Sequence, residues 1–226
     1  QYELYRFSGT AKDKITVRYF PKTSRMQIQG KPLFLFTQVV ELASYNGVPK
    51  DDIIDANLRY CNINSTKEDI NEEMEAVLGK ELYNFLSNSQ KAILSTSFVL
   101  KKVDGYIGDY SILVGPANRA YEGFVKKIFA QKGLSCGEGQ QLGSFFRWID
   151  STTPVMHSKY ADTLEEDMVD GFTSMFKFYS KNRHPYAHST AYDYSTAIIE
   201  NRSNAEELLT DIISSMKSWF EWFSKF

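Results

Sequence analysis

Lys14-Ile15-Thr16-Val17-Arg18-Tyr19-Phe20 sets Ile15, Val17 and Tyr19 against Thr16 and Arg18, the two-residue period of a half-buried strand. Pro21-Lys22-Thr23-Ser24 supplies a turn. Arg25-Met26-Gln27-Ile28-Gln29 alternates again and Gly30 ends it, so the two runs predict a hairpin. The period then changes. Between Leu33 and Tyr45, Phe36, Val39, Val40 and Ala43 fall near helical spacing, and Asn46-Gly47 is a helix stop. From about Asp51 onward the patterns are helical only. The predicted fold class is therefore α+β: a small α+β segment over residues 1–62, then a mostly helical part over 63–226, with the boundary between Tyr60 and Ser65.

The helical part divides by its punctuation. Ser65-Thr66-Lys67-Glu68 resembles a capping box opening a helix from Glu68 to Leu86. Asn88 to Val103 is a second, broken by Asp104-Gly105-Tyr106-Ile107-Gly108. Pro116 suits a first helical turn, with the helix running through Ala120, Phe124, Ile128 and Phe129 to Gly133. Gln141 to Ile149 reads as a short helix, and Asp162 to Lys181 as a long one. Asn204 to Phe226 closes the chain with Leu208, Ile212, Met216, Trp219 and Phe223 at three- and four-residue steps. Trp219, Phe220, Trp222, Phe223 and Phe226 place aromatics on more than one face of that helix. Either a partner surface or a wider intramolecular groove accounts for them.

Composition narrows the function classes. The 226 residues suit one large domain or two small ones. Hydrophobic residues at 42% and charged residues at 24% exclude a disordered chain. The formal net charge of −2 argues against bulk adhesion to nucleic acid, so any RNA contact must be local. Charge is indeed partitioned. Residues 1–36 hold seven basic and two acidic groups, residues 50–81 four and nine, and residues 91–132 seven and three. A solvated helix face is the favoured account of each run. Cys61 and Cys136 lack metal-ligand spacing and fit free thiols in a reducing cytoplasm. Gln1-Tyr2-Glu3-Leu4 has neither a methionine nor a secretion-signal pattern, as expected of a fragment or a processed chain.

Two of the three histidines fall in one hexapeptide, Arg183-His184-Pro185-Tyr186-Ala187-His188. Pro185 fits the first turn of a new helix. Arg183 and His188 would then converge near a helix start, whose N–H groups and positive dipole end attract an anion. Arg is a bidentate phosphate ligand, and His exchanges protons near neutral pH. That combination suits phosphodiester cleavage without a metal. A polar loop between helices is the plainer account. Metal motifs are missing from the sequence, and the carboxylates Asp162, Glu165, Glu166, Asp167 and Asp170 read as the solvated face of one helix. Gly133 to Gly139 lacks a Gly-Lys-Ser/Thr ending, and nothing local supports Cys136 as a nucleophile.

Arg, a polar residue, a short spacer and His resemble the Rx4-6H signature of HEPN ribonuclease domains. Here the spacer has four residues and His184 fills the polar position. More closely, the chain resembles the RNase LS toxin family of the RnlA and LsoA type, toxins of phage-defence toxin–antitoxin systems. The resemblance implies a partial TATA-binding-protein-like α+β domain followed by a HEPN-like bundle that catalyses, dimerises and binds an antitoxin. It also implies a glutamate on an earlier helix. Pro116-Ala117-Asn118-Arg119-Ala120-Tyr121-Glu122-Gly123-Phe124-Val125-Lys126-Lys127 is similar to that helix, which makes Glu122 the candidate.

The expected function is a metal-independent endoribonuclease toxin acting on mRNA through a dimeric Arg/His site, with no cofactor. The 2′-hydroxyl would attack the adjacent phosphate, His188 serving as general acid or base and Arg183 stabilising the charged transition state. Glu122 would orient a base or hold Arg183; an ion pair with Lys126 explains it as well. His184, Arg119, Lys126, Lys127 and Tyr186 are candidate RNA contacts, with Tyr192 a further stacking candidate and the basic N-terminal segment a second contact. The expected partners are RNA, an antitoxin and a second copy of the chain. The alternative is a non-catalytic helical dimerisation or RNA-binding regulatory module. A metal-dependent nuclease is a third class, which chelators would inactivate.

Overall fold

The computed structural model describes residues 1–9, 13–31, 34–105, 109–137, 141–187 and 198–226. β1 (Glu3–Ser8), β2 (Lys14–Phe20) and β3 (Arg25–Gly30) form an antiparallel meander in that order. Val17 stands between Tyr5 and Ile28, and Ile15 between Phe7 and Gly30, so these residues share one face. Ile15 and Val17 are buried on it, and β2 lies against α1 (Phe34–Tyr45). Asp13 ties the two parts together: its carboxylate accepts the Leu35 N–H at 2.7 Å, serving the first turn of α1 from a distant loop.

α1 and α2 (Lys50–Cys61) both pack on α5 (Asn88–Leu100). Phe36, Val40, Ile53 and Ala92 form a small core there, with Phe36 stacked on Tyr60 at 4.0 Å. The larger core surrounds α5 and α6 (Ser111–Gln131), the innermost pair. α3 (Lys67–Leu78), α4 (Lys80–Phe85), α8 (Glu166–Ala187) and α9 (Arg202–Phe223) complete it. A short hairpin of β4 (Phe146–Trp148) and β5 (Pro154–Met156) lies beside α8, followed by α7 (Ser158–Ala161).

Several expectations need correction. β1 joins the hairpin as a third strand. The capping box is Thr66 with Asp69, one residue beyond the expected pair, and its helix stops at Leu78. Gly79, at φ +82, turns the chain into α4, a conformation that costs a side-chain-bearing residue free energy. Residues 141–149 are a 3-10 turn over Leu142–Phe145 and then β4, because Phe146 to Trp148 pairs with Pro154 to Met156.

Both prolines read as helix starts lie inside helices. α6 begins at Ser111, whose N–H and hydroxyl both bond the Asp109 carboxylate, so Pro116 is its sixth residue. α8 runs through Pro185 to Ala187, forfeiting there one ladder bond in its last turn. The aromatic C-terminus is largely covered from within. Trp219, Phe220, Trp222 and Phe223 are half-buried against the main core, with Phe220 5.1 Å from Phe85; Phe226 stays exposed. The intramolecular groove thus accounts for most of these rings.

Candidate functional site

α6, the central helix, carries Glu122, the glutamate candidate, among mostly apolar buried residues. Ala117, Ala120, Tyr121, Phe124 and Val125 are fully buried, which fixes the helix against α5, α8 and α9. Asn118 and Glu122, one turn apart, are buried too. Among the described residues of the helical part, Glu122 is the one buried charged side chain. Burying a carboxylate is costly, so its ion partners matter. Lys126 Nζ lies 2.8 Å from Glu122 Oε1, and Arg119 Nη1 lies 3.7 Å from Oε2. Arg119 also reaches Glu41 of α1, Nε to Oε2 at 3.4 Å.

Asn118 connects this network to the hexapeptide. Its side-chain amide donates to the carbonyl oxygen of Asn182 at 3.3 Å. Asn182 immediately precedes Arg183, and the backbone of Arg183, His184 and Tyr186 forms the last turn of α8. His188 and Tyr192 lie outside the described residues. The backbone reaching the hexapeptide and the side chain of Glu122 are therefore held on one face of α6.

The helix-start reading of the hexapeptide is overturned. Arg183 and His184 sit at a helix's carboxyl end, where the dipole is negative and the free main-chain groups are carbonyls. Anion binding there must come from side-chain charge. Lys127 separates from the other candidates: its ammonium bonds the Phe85 carbonyl and lies 4.5 Å from that residue's ring centre. Cys136 is a free, half-buried thiol. Burial pushes it above the usual thiol range, against the Lys126 ammonium and with the Glu122 carboxylate, so it is poorly suited to nucleophilic attack. Asp162, Glu165, Glu166, Asp167 and Asp170 are all exposed, as a solvated face requires.

Comparison with known proteins identifies the family. A family model described as RNase LS, bacterial toxin DBD domain matches residues 66–190, and one described as RNase LS, bacterial toxin matches residues 1–49. The chain belongs to the RNase LS bacterial toxin family. The mRNA endoribonuclease LsoA of Escherichia coli O157:H7 is 23% identical over 176 residues, covering 78% of this chain and 49% of that protein. The mRNA endoribonuclease toxin LS of Escherichia coli K12 is 22% identical over 196 residues, covering 84% and 54%. This family member thus spans about half the length of these curated relatives. The crystal structure of Escherichia coli toxin LsoA, in complex with T4 phage antitoxin Dmd, superposes with a TM-score of 0.65 at 20% identity, over 96% of this chain and 82% of that one. The shared fold is α+β, mostly helical with small antiparallel sheets.

Two positions escaped the sequence reading. Asn118 carried a signal, a polar side chain one turn from Glu122 amid the apolar residues of α6. Glu41 carried none, since its pairing with Arg119 depends on how α1 docks.

Proposed function

We propose that the chain is a metal-independent endoribonuclease toxin of a phage-defence toxin–antitoxin system, cleaving mRNA through Arg183, His188 and Glu122. The observation that carries this reading is the bond from Asn118 to the Asn182 carbonyl, which tethers the entry to the hexapeptide one turn from a buried carboxylate. Family membership adds to it, since LsoA and toxin LS are named mRNA endoribonucleases. In this scheme His188 moves the proton and Arg183 compensates charge on the phosphate. Glu122 orients a base or holds Arg183. Arg119, Lys126, His184 and Tyr186 contact RNA, with Lys127 more remote. The site is completed by a second copy of the chain in the cytoplasm, and an antitoxin restrains it.

The same reading divides the chain into a partial TATA-binding-protein-like unit over 1–62 and a HEPN-like unit over 63–226. The strand–strand–strand–helix order of β1 to α1 supports the first. α2 then lies along the seam, contributing Ile53 to the small core and Ile54 and Leu58 to the large one.

The alternative, a non-catalytic helical dimerisation or RNA-binding regulator, draws support from the ion pairs that already engage Glu122, Arg119 and Lys126. Substitution separates the two. His188→Ala should lower RNA cleavage by about 10²–10⁴-fold with the thermal midpoint unchanged. Arg183→Ala should follow it, and both should relieve growth arrest. Folded variants that cleave RNA like the parent would leave only the regulator.

A further inference from the structure

Strand register separates the N-terminal sheet into two unlike faces. One packs Ile15 and Val17 toward α1. The other looks outward, and its rows follow from the pairing: Leu4, Arg18 and Gln27 stand abreast, Arg6, Thr16 and Gln29 form the next row, and Ser8 with Lys14 the last. Phe20 and Arg25 pair at the opposite end. This outward face therefore carries Arg6, Lys14, Arg18 and Arg25, and among the described strand residues it carries no carboxylate. Glu3, the one acidic residue of the strands, points to the other side, bonded by the Tyr5 hydroxyl at 2.5 Å.

Aromatic and amide groups are interleaved with these cations. Tyr2 lies 5.5 Å from Phe20, ring centre to ring centre. Arg18 places its guanidinium 5.8 Å from the Tyr2 ring and donates to Gln29 Oε1 at 2.8 Å. Arg18 is thereby held between Tyr2 and Gln29, and among the described residues no carboxylate forms an ion pair with it. Arginines spaced along strands can meet successive phosphates, exposed rings stack on bases of any identity, and Gln27 and Gln29 offer donors and acceptors to base edges.

We propose that this outward sheet face is a binding platform for single-stranded RNA, gripping the strand beyond the segment that is cut. Charge complementarity selects the occupant: four cations without an opposing carboxylate fit a polyanion, and the ring-and-guanidinium layer fits unpaired bases better than a folded acidic protein. The inference rests on the endoribonuclease reading for its substrate class, yet it concerns strand residues rather than the α6 and α8 positions of the proposed cut.

The test compares Arg6→Gln/Arg18→Gln/Arg25→Gln with the parent, both carrying His188→Ala so that RNA survives. A fluorescent 20-nucleotide RNA is titrated across salt concentrations. Losing three phosphate contacts should flatten the slope of log affinity against log salt by about 2, at about 0.7 per contact on single strands. Affinity should fall by tenfold or more near 0.1 M salt. Tyr2→Ala should weaken binding by about fivefold or more while leaving the slope unchanged. In the cleavage-competent background the triple variant should raise KM and keep kcat. All three arginine positions are exposed or half-exposed, and an unchanged thermal midpoint checks folding. Unchanged affinity and slope in the triple variant would overturn the platform, as would a triple variant that binds RNA normally but loses an acidic protein partner. RNA bound through this face by a protein that cleaves none would uphold the platform and sink the catalytic reading instead.

Discussion

Gly171→Ala should destabilise the chain even though alanine is the better helix former. Gly171 lies inside α8, where the intrinsic gain from alanine is about 1 kcal/mol. A Cβ placed there would stand 2.3 Å from both Cη2 and Cζ2 of Trp222 on α9, against roughly 3.5–4.0 Å for an ordinary carbon contact. The obstacle is a rigid ring, half-buried against the core, so α8 and α9 must part by about an ångström or the indole must leave its rotamer. Overpacking of this kind costs about 1–3 kcal/mol and occasionally more. An obstruction this close puts the cost at the upper end of that range, so the net expectation is a loss of about 1–2 kcal/mol, a fall of about 2–8 °C in the thermal midpoint for a chain of this size.

The decisive assay is a double-mutant cycle with Trp222→Leu, read by urea unfolding. Once the indole is gone, alanine at 171 should stabilise by about 1 kcal/mol, so the sign of the effect reverses with the residue at 222. Gly171→Ala stabilising the parent, or destabilising both backgrounds equally, would refute the reasoning.

Other outcomes follow from the same contacts. The Thr66 N–H and the Thr66 and Ser65 hydroxyls hold the Asp69 carboxyl below the usual carboxylate range. Its contribution is thus present above the unfolded value of about 3.9 and lost as pH falls through the lower folded value. The stability deficit of Asp69→Asn measured at pH 7 should therefore vanish in strong acid; a deficit independent of pH would contradict this. Arg202 joins the start of α9 to the end of α5 through the carbonyls of Lys101, at 2.9 Å, and Val103. Arg202→Ala should cost about 1–2 kcal/mol and speed amide exchange near Leu100, as judged by mass spectrometry. Burial pushes the Cys61 thiol up to about 12, further than it pushes Cys136. Iodoacetamide at pH 8 should modify Cys136 before Cys61, and peptide mapping reads the order.

How far the sequence reveals this fold depends on element length and on burial. β2 was legible because Ile15 and Val17 are buried on one face, and β3 because Met26 and Ile28 alternate with Arg25, Gln27 and Gln29 even though only Ile28 of the two is half-buried. β1 was not: all six of its residues are exposed, and Leu4, Tyr5 and Phe7 follow no clean alternation. β4 and β5 have three residues each, too few to display a period, and pairing alone makes them strands. The two misread prolines share one cause. Proline marks a helix start when local chemistry decides, but α6 begins at Ser111, five residues ahead of Pro116, where the Asp109 carboxylate accepts the Ser111 N–H, and packing carries α8 beyond Lys181.

The candidate site was legible to the same extent. Glu122 was named through the family resemblance alone, and its helix begins at Ser111, five residues before the Pro116 that the pattern took for a start. The Asn118 tether and the Glu41–Arg119 pair join residues 64 and 78 positions apart, and no local pattern encodes such distances. Lys127 shows the converse. Adjacent to Lys126, it points toward the end of α4, because successive helical residues stand 100° apart.

The central claim is that RNA is broken by its own 2′-hydroxyl, with the chain supplying charge and a proton carrier. Its most direct test is mass analysis of the fragment ends released by the purified chain in excess EDTA. The account predicts continued cleavage leaving 2′,3′-cyclic phosphates and 5′-hydroxyls, abolished in His188→Ala. Cleavage that stops with the chelator, or that leaves 3′-hydroxyls and 5′-phosphates, would contradict it.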